Sequence, residues 1–281
     1  MAPLVSILTP SFQQGRFLPD CLVSVSRQTY PAIEHVVMDG GSTDETLSVL
    51  AQAGDSVRWT SEPDGGQADA FNKAFAASTG EIVGWINSDD GLFAVDTVER
   101  VVEVFERNPE AGLVYGDIAL VDEDGRIVRH ARSRWPAGRV LPLMSPMPQP
   151  GVFFRRSVIS PAELPLRVDF QRALDYELWL RLRSRAVRAV RLSAVLAVDR
   201  DHPERKVRIS DDVFDRERKA MSAEYGTVFR HGPFRRLGSL VRRIEGLGPV
   251  LTWERRTPAF PWSVDARLRR TLRQLTFVHR D

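Results

Sequence analysis

The chain has 281 residues, 43% of them hydrophobic and 27% charged, with a formal net charge of +2. At roughly 150 residues per domain this is one large domain or two modest ones, and such ordinary apolar and charged content excludes wholesale disorder, collagen and coiled coil. A single cysteine, Cys21, excludes a disulfide framework and a Cys-rich zinc site; no apolar stretch approaches the ~18 residues of a membrane-spanning helix, and Met1-Ala2-Pro3-Leu4-Val5 lacks the basic start of a secretory leader, so a cytoplasmic enzyme is the expectation.

Apolar strand-like runs alternate with helical periodicity through the first part of the chain, the rhythm of a βαβ sheet. Residues 4–9 form an apolar run, and Phe17, Cys21, Leu22 and Val25 follow at helical spacing. A second strand over 34–38 runs into Asp39-Gly40-Gly41-Ser42-Thr43-Asp44-Glu45, where Ser42 and Glu45 have the spacing of a capping box and predict a helix start. A third strand over 57–60 leads to Asp64-Gly65-Gly66 and a helix through Asn72 to Ala77. A fourth, over 81–86, ends in Asn87-Ser88-Asp89-Asp90, then a helix marked by Val98, Val101, Val102 and Phe105 and a strand over 112–115.

Beyond this point the rhythm changes. Residues 118–121 and 126–130, joined by Asp122-Glu123-Asp124-Gly125, predict a hairpin. A Pro-rich connector over 136–150 precedes a strand over 152–155, a helix over 175–185 and a strand over 187–198. Two helical faces follow, one marked by Leu237, Leu240, Val241, Ile244 and Leu247, the other by Leu268, Leu272 and Leu275. The domain reading is a catalytic unit over 1–210 and a helical, basic appendage over 211–281. Residues 226–281 carry twelve basic residues against four acids, a local balance of +8 that leaves −6 for the remainder. That asymmetry points to an anionic partner such as a membrane face or phosphate, with a solvated helical face as the plainer reading.

In an open α/β sheet, ligands bind beyond the carboxyl ends of the strands. Here Pro10-Ser11, Asp39, Asp64-Gly65-Gly66 and Asp89-Asp90 all stand at such ends. Turn chemistry would also place Gly and Asp there. Adjacent carboxylates repel unless solvent or a cation compensates, and a hard divalent ion would bridge them to phosphates; alternatively the pair simply caps the next helix.

Five ordered motifs decide between these readings. They are Thr9-Pro10-Ser11-Phe12, Met38-Asp39-Gly40-Gly41-Ser42-Thr43-Asp44, Asp64-Gly65-Gly66-Gln67, Asn87-Ser88-Asp89-Asp90 and Asp175-Tyr176-Glu177-Leu178-Trp179-Leu180-Arg181. Over about residues 4–207 the chain resembles a family 2 glycosyltransferase of the GT-A fold, the inverting nucleotide-sugar transferases. The resemblance implies an α/β fold with a mostly parallel central sheet flanked by helices. It also implies a hexosyltransferase-type reaction from a nucleotide-diphosphate-sugar, commonly a UDP-sugar, with a divalent metal, Mn²⁺ or Mg²⁺.

By position, Pro10, Ser11 and Phe12 resemble the segment holding the nucleobase. Asp39 corresponds to the carboxylate that reads the base edge, with a turn-stabilising role as the alternative. Gly65, Gly66, Gln67 and Asp69 match the stretch beside base and ribose. The family commonly has Arg next to Asn in the following helix, whereas this chain has Phe71-Asn72-Lys73, which leaves Lys73 as a partial substitute. Ser88 and Asp89 fall near the ribose, Asp90 at the metal, and His202, followed by Pro203 and Lys206, at the loop closing on the diphosphate, as a metal or diphosphate contact. Asp175 matches the general base, helix capping being its alternative; Glu177 faces elsewhere. Phe153 and Phe154 resemble the acceptor side, as sugar-stacking or as core residues.

The setting implied is surface polysaccharide or glycolipid assembly, with a glycan or lipid-linked acceptor, contact of 226–281 with the inner face of the cell membrane, and no nucleic acid partner. Two other readings stay open: a sugar-phosphate nucleotidyltransferase, for which Ser11-Phe12-Gln13-Gln14-Gly15-Arg16 is a poor phosphate loop, and a catalytically inactive nucleotide-sugar-binding protein. Dinucleotide binding lacks its G-x-G-x-x-G.

Overall fold

A computed structural model of the chain describes residues 2–137, 140–141, 145–203, 205 and 211–229. Strand and helix alternate at first: β1 (Val5–Ser11), α1 (Leu18–Ser26), β2 (Ile33–Asp39), α2 (Thr46–Gln52), β3 (Arg58–Ser61), α3 (Gln67–Ala77) and β4 (Ile82–Trp85). All seven residues of β1 are buried, so it shows no alternation of apolar and exposed polar positions, and its buried Ser6 and Thr9 hydroxyls are hydrogen-bonded to Glu34 and His35. It lies between β2 and β4, parallel to both, with Val5 opposite Ile33 and Ile82.

Then come β5 (Gly91–Leu92), α4 (Thr97–Arg107), β6 (Leu113–Val121), β7 (Ile127–Ala131) and β8 (Val140–Leu141). They are followed by β9 (Val152–Arg155), α5 (Leu174–Ser184), β10 (Ala189–Arg200), α6 (Asp211–Tyr225) and β11 (Val228–Phe229). The main sheet has nine strands in the order β3-β2-β1-β4-β9-β6-β10-β5, with β7 on β6; β8 and β11 pair separately. The pairings from β3 to β4 are parallel. Past β4 the sheet is mixed: β9 runs antiparallel between β4 and β6, and β5 and β7 are antiparallel edges. The mostly parallel sheet therefore holds for the first half, where helical crossovers enforce it.

Two local expectations are corrected. The strand over 112–115 and the first arm of the hairpin are one strand, β6. The sequence breaks its apolar run at Gly116 because a Cβ there would meet Leu196 Cγ at 2.5 Å, so glycine lets β10 lie close. Ser42 does not cap α2. Its hydroxyl donates to Asp39 Oδ1 at 2.5 Å and accepts from the Gln13 amide at 2.7 Å, while Asp44 Oδ1 accepts from the Thr46 amide. Loop closure competes with the capping box and wins.

Helices cover both faces. Phe71 and Ala74 of α3 and Leu178, Trp179 and Leu182 of α5 pack with Leu8, Val83 and Phe154 on one side. Cys21 and Val25 of α1 and Val98, Val102 and Phe105 of α4 pack with Ile7, Ile82 and Phe153 on the other. Residue 210, the expected domain boundary, lies outside the described residues. The helix after it, α6, adds Phe214 and Met221 to the same core as α5. The helical faces expected over 237–247 and 268–275, and the basic run from 230 on, lie outside the described residues. Among the described residues no helix is long and apolar enough to cross a membrane.

A buried ion pair locks the first crossover to the far end of the sheet. Asp20 in the first turn of α1 accepts from Arg200 Nη2 at 2.8 Å, both side chains at most 5% exposed. The same guanidinium donates to the carbonyls of Asp89 and Glu123. Removing one partner of such a pair leaves an uncompensated buried charge. Arg200→Ala should therefore lower unfolding stability by about 3–5 kcal/mol, read as a fall in the urea midpoint, and Asp20→Asn added to it should restore part of the loss.

Candidate active site

The order of strands reverses at β1: β2 and β3 lie on one side, β4 on the other. Ligand crevices open at such switch points. Pro10 stands past Leu8, the last β1 residue paired to β4, so its missing N–H costs no ladder bond there.

Along the carboxyl ends of β1, β2 and β3, Ser11, Asp39 and Ser61 sit side by side in register. The buried Asp39 accepts at Oδ2 from the amides of Gly41 and Ser42 and from the Ser61 hydroxyl, at 3.1, 2.8 and 2.7 Å. It organises its own loop, as the turn reading required, at the same place where the family resemblance puts the base-reading acid. Beside it, Ser11 Oγ is buried with no partner among the described residues, and the Phe12 ring is 58% exposed.

Gly65 and Gly66 open α3. The Gly66 backbone has φ +106, a conformation glycine adopts without strain. Its amide donates to Asp64 Oδ1 at 2.7 Å, and that of Gly65 donates to Asp69 Oδ2 at 2.9 Å. Lys73 is held by Glu62 and Asp69 at 2.8 and 3.3 Å. Asn72 is buried and clamps the Leu166 backbone through both amide atoms.

After β4, Asn87 is the hub of the acidic loop. Its Oδ1 accepts from Gln67 Nε2 and Trp85 Nε1, and its Nδ2 donates to Asp90 Oδ2 at 3.1 Å and Gln149 Oε1 at 2.8 Å. Ser88 is buried beside it. Asp90 is 4% exposed, and its Oδ1 accepts from the Arg200 amide. Burial, and then the charges of Asp89 and Asp199, push Asp90 well above the usual carboxylate range, against the pull of Arg205. The pair does not cap the next helix: β5 intervenes and α4 starts at Thr97.

Asp89 Oδ2 lies 2.9 Å from His202 Nε2. The imidazole is buried, packs on the Phe17 ring at 4.7 Å, and has no partner for Nδ1 among the described residues. Lys206 lies outside the described residues.

Asp175, half-buried in the first turn of α5, is within hydrogen-bonding reach of the Ser145 hydroxyl. Burial pushes its carboxyl up to about 6, and the charge of Asp199 adds to that. Asp199 also faces Asp89 and is itself raised by burial, with Arg205 pulling the other way. Asp199 thus links Asp175 electrostatically to the acidic pair. Glu177 is fully buried and hydrogen-bonded to the Tyr225 hydroxyl, away from this group. Phe153 and Phe154 are both fully buried on opposite faces of the sheet, so neither stacks on a sugar and both are core.

Sequence reasoning missed Asp199, Arg200 and Arg205. Their signal is Asp199-Arg200-Asp201-His202, four polar residues closing an apolar strand. The strand runs two residues further than its apolar stretch, because Asp199 and Arg200 are neutralised in place, Asp199 by Arg205 and Arg200 by Asp20.

Among the described residues, no three or more His, Cys, Asp or Glu side chains are gathered as a metal cage. The donor set is two adjacent carboxylates with insufficient positive charge around the deeper one. This fits a hard cation that takes one or two protein oxygens and fills its shell with phosphate and water.

The chain belongs to glycosyl transferase family 2, whose sequence model matches residues 6–169. It is a glycosyltransferase. The PGL/p-HBAD biosynthesis glycosyltransferase of Mycobacterium tuberculosis is 29% identical over 269 residues, covering 91% of this chain and 99% of its own length. Among solved structures, S. aureus TarS 1–349 in complex with UDP-GlcNAc superposes with a TM-score of 0.63 at 18% identity, over 79% of this chain and 66% of that one. The mannosyltransferase PcManGT from Pyrobaculum calidifontis, in complex with GDP-Man and Mn²⁺, gives 0.57 at 18% identity, over 98% of this chain and 88% of that one. At these identities the likeness is one of fold, and the fold is GT-A.

Asn87 carries a prediction that does not depend on the ligand. Asn87→Ala strands the Trp85 and Gln67 donors and frees Asp90, a loss of about 1–3 kcal/mol. Chemical unfolding reads it.

Proposed function

We propose that the chain transfers a sugar with inversion from a nucleoside-diphosphate sugar, a UDP-sugar in the first instance, to a hydroxyl on a glycan or lipid-linked acceptor. The observation that carries this reading is the acidic pair at the carboxyl edge of the sheet, where the buried Asp90 takes the Arg200 and Asn87 donors and Asp89 lies beside the His202 ring, with Asp175 raised by burial and by Asp199. A base for the incoming hydroxyl and anchors for the departing diphosphate belong together in a single displacement. The name of the mycobacterial relative supports an acceptor in glycolipid assembly.

Ser11 and Phe12 receive the nucleobase, with Asp39 holding the loop that faces it. Gly65, Gly66, Gln67, Asp69 and Ser88 line the ribose side, and Lys73 balances Asp69 rather than reaching the nucleotide. Asp90, with Asp89 beside it, would hold a divalent cation, Mn²⁺ or Mg²⁺; when bound it neutralises charge developing on the diphosphate. His202 orients Asp89 and presents its second nitrogen to the diphosphate side. Asp175 takes the proton from the acceptor hydroxyl, a general-base contribution of roughly 10²–10⁴-fold.

Thermal-shift screening of nucleotide-sugars with and without Mn²⁺ tests the donor half. A donor at 100 times its Kd adds about 2.7 kcal/mol, which is a rise of about 5–10 °C for a domain this size. Asp90→Asn should abolish the Mn²⁺-dependent part of that rise. Asp175→Asn should keep the rise and lose turnover by about 10²–10⁴-fold; near-normal kcat in this variant removes Asp175 from the role of base.

The pH dependence follows from the raised carboxyl. Asp175 is protonated and inactive as a base below about 6 and ionised above it. In the donor-free enzyme kcat/KM should therefore rise with pH through a midpoint near 6, rather than near the value of an ordinary aspartate. An acid limb centred near 4 would show that another group limits the rate.

A further inference from the structure

The first amide groups of a helix have no partner within it and must find one outside. The N-cap residue of α5 is Ala173, which has no side chain to offer. The acceptor for the Ala173 amide comes from α6, on a carboxylate that also takes the two amides before the helix. Glu217, 6% exposed, takes the Gln171 amide at 2.6 Å on Oε1 and the Ala173 amide at 2.7 Å on Oε2, with the Arg172 amide 3.2 Å from each oxygen. One carboxylate thereby fixes three successive backbone positions leading into the turn that carries Asp175. Negative charge at this end of the helix also suits its dipole. One turn later α6 grips again, through the Tyr225 hydroxyl donating to Glu177 at 2.5 Å. Asp175 lies between the two grips.

We propose that Glu217 is a positioning residue for the transfer reaction. By capping α5 from α6 it sets the direction in which the Asp175 carboxylate faces the acceptor hydroxyl. The inference rests on the reading of Asp175 as the base. Glu217 touches no reacting atom, so its loss should leave nucleotide binding alone and act on turnover. A carboxylate is required because both oxygens accept; a glutamine would turn an NH₂ group toward amide donors and lose half of the cap.

The test compares Glu217→Gln with Met221→Ala and Asp175→Asn in the full chain. Met221 is a fully buried core residue of the same helix, so its truncation loosens α6 while leaving the cap in place. Amide hydrogen exchange reads the cap at 171–173. Calorimetry with UDP and with GDP, each in the presence of Mn²⁺, reads nucleotide affinity. Release of nucleoside diphosphate from UDP-N-acetylglucosamine, UDP-glucose and GDP-mannose gives kcat and KM for whichever is turned over fastest. Glu217→Gln should lose exchange protection at 171–173 and keep nucleotide affinity and donor KM within about twofold. Its kcat should drop roughly 10–100-fold, the scale of a displaced catalytic group. Met221→Ala should keep kcat within about threefold at temperatures where both variants are folded. Should Glu217→Gln not fold, Glu217→Asp, which keeps the charge and withdraws it by one methylene, takes its place with the same expectation.

Retained protection at 171–173 overturns the proposal at the level of structure, and an equal fall in kcat for Glu217→Gln and Met221→Ala reduces Glu217 to a fold-stabilising residue. If Asp175→Asn keeps its turnover, the reading of the base fails instead, while the exchange data still decide whether Glu217 holds α5.

Discussion

The site is organised around negative charge that the fold does not fully neutralise. Asp89, Asp90 and Asp199 converge at the carboxyl edge of the sheet, and Asp175 feels the same field. A buried arginine nearby does not relieve them directly. Arg200 gives its guanidinium to Asp20 and to two carbonyls, and meets Asp90 only through its backbone amide. Arg205 serves Asp199, with Asp201 in reach. Burial without a full counter-charge raises the affinity of a carboxylate for protons, and by the same logic for any other cation offered with its own anion. How far this acidic group is neutralised is thus a property of how the arginines are spent, and Asn87, with a neutral amide on Asp90, adds no counter-charge where a lysine would.

The strand ends of β1, β2 and β3 follow a different rule. Asp39 is satisfied by its own loop, so the loop is rigid before any ligand arrives. Asp44 ties the same segment to the β1–α1 turn through the Gly15 amide at 2.8 Å. Among the described residues of this scaffold, Ser11 Oγ, Gln14 Oε1 and Thr46 Oγ1 are buried without a partner, and the Phe12 ring is exposed.

How much of this could be read from the chain depended on the range of the interaction. The apolar strands and the acidic strand ends were legible because burial and turn chemistry are written locally, in β1, in Asp39-Gly40-Gly41 and in Asp89-Asp90. Ser42 misled because a capping box and a loop-closing serine look alike over four residues, and the competing partner, Gln13, lies 29 residues away. Gly116 misled because its purpose is the approach of Leu196, on another strand. Asp199 was passed over because a charged residue at the end of a strand normally marks its exit to solvent; only the fold shows Arg205 folded back upon it. Phe153 and Phe154 carried a correct plain reading, core, which adjacency in a strand favours since neighbours point to opposite faces.

The same argument from range places the division of labour within the chain. The family model ends at residue 169, within the loop that leads to α5. Up to that point the site is built from consecutive strand ends, each loop completing itself or its neighbour. Asp175, Asp199 and His202 come later: His202 is held against the acidic loop after β4, Asp199 by Arg205 six residues on, and α5 against α6 across more than forty residues. Asp175 stands in the first turn of α5, and the backbone entering that helix is held by a second helix fixed to the same core. Phe214 packs α6 into that core and Glu217 reaches the entry of α5 from it, so α6 shares a core with α5 even though it follows the expected domain boundary.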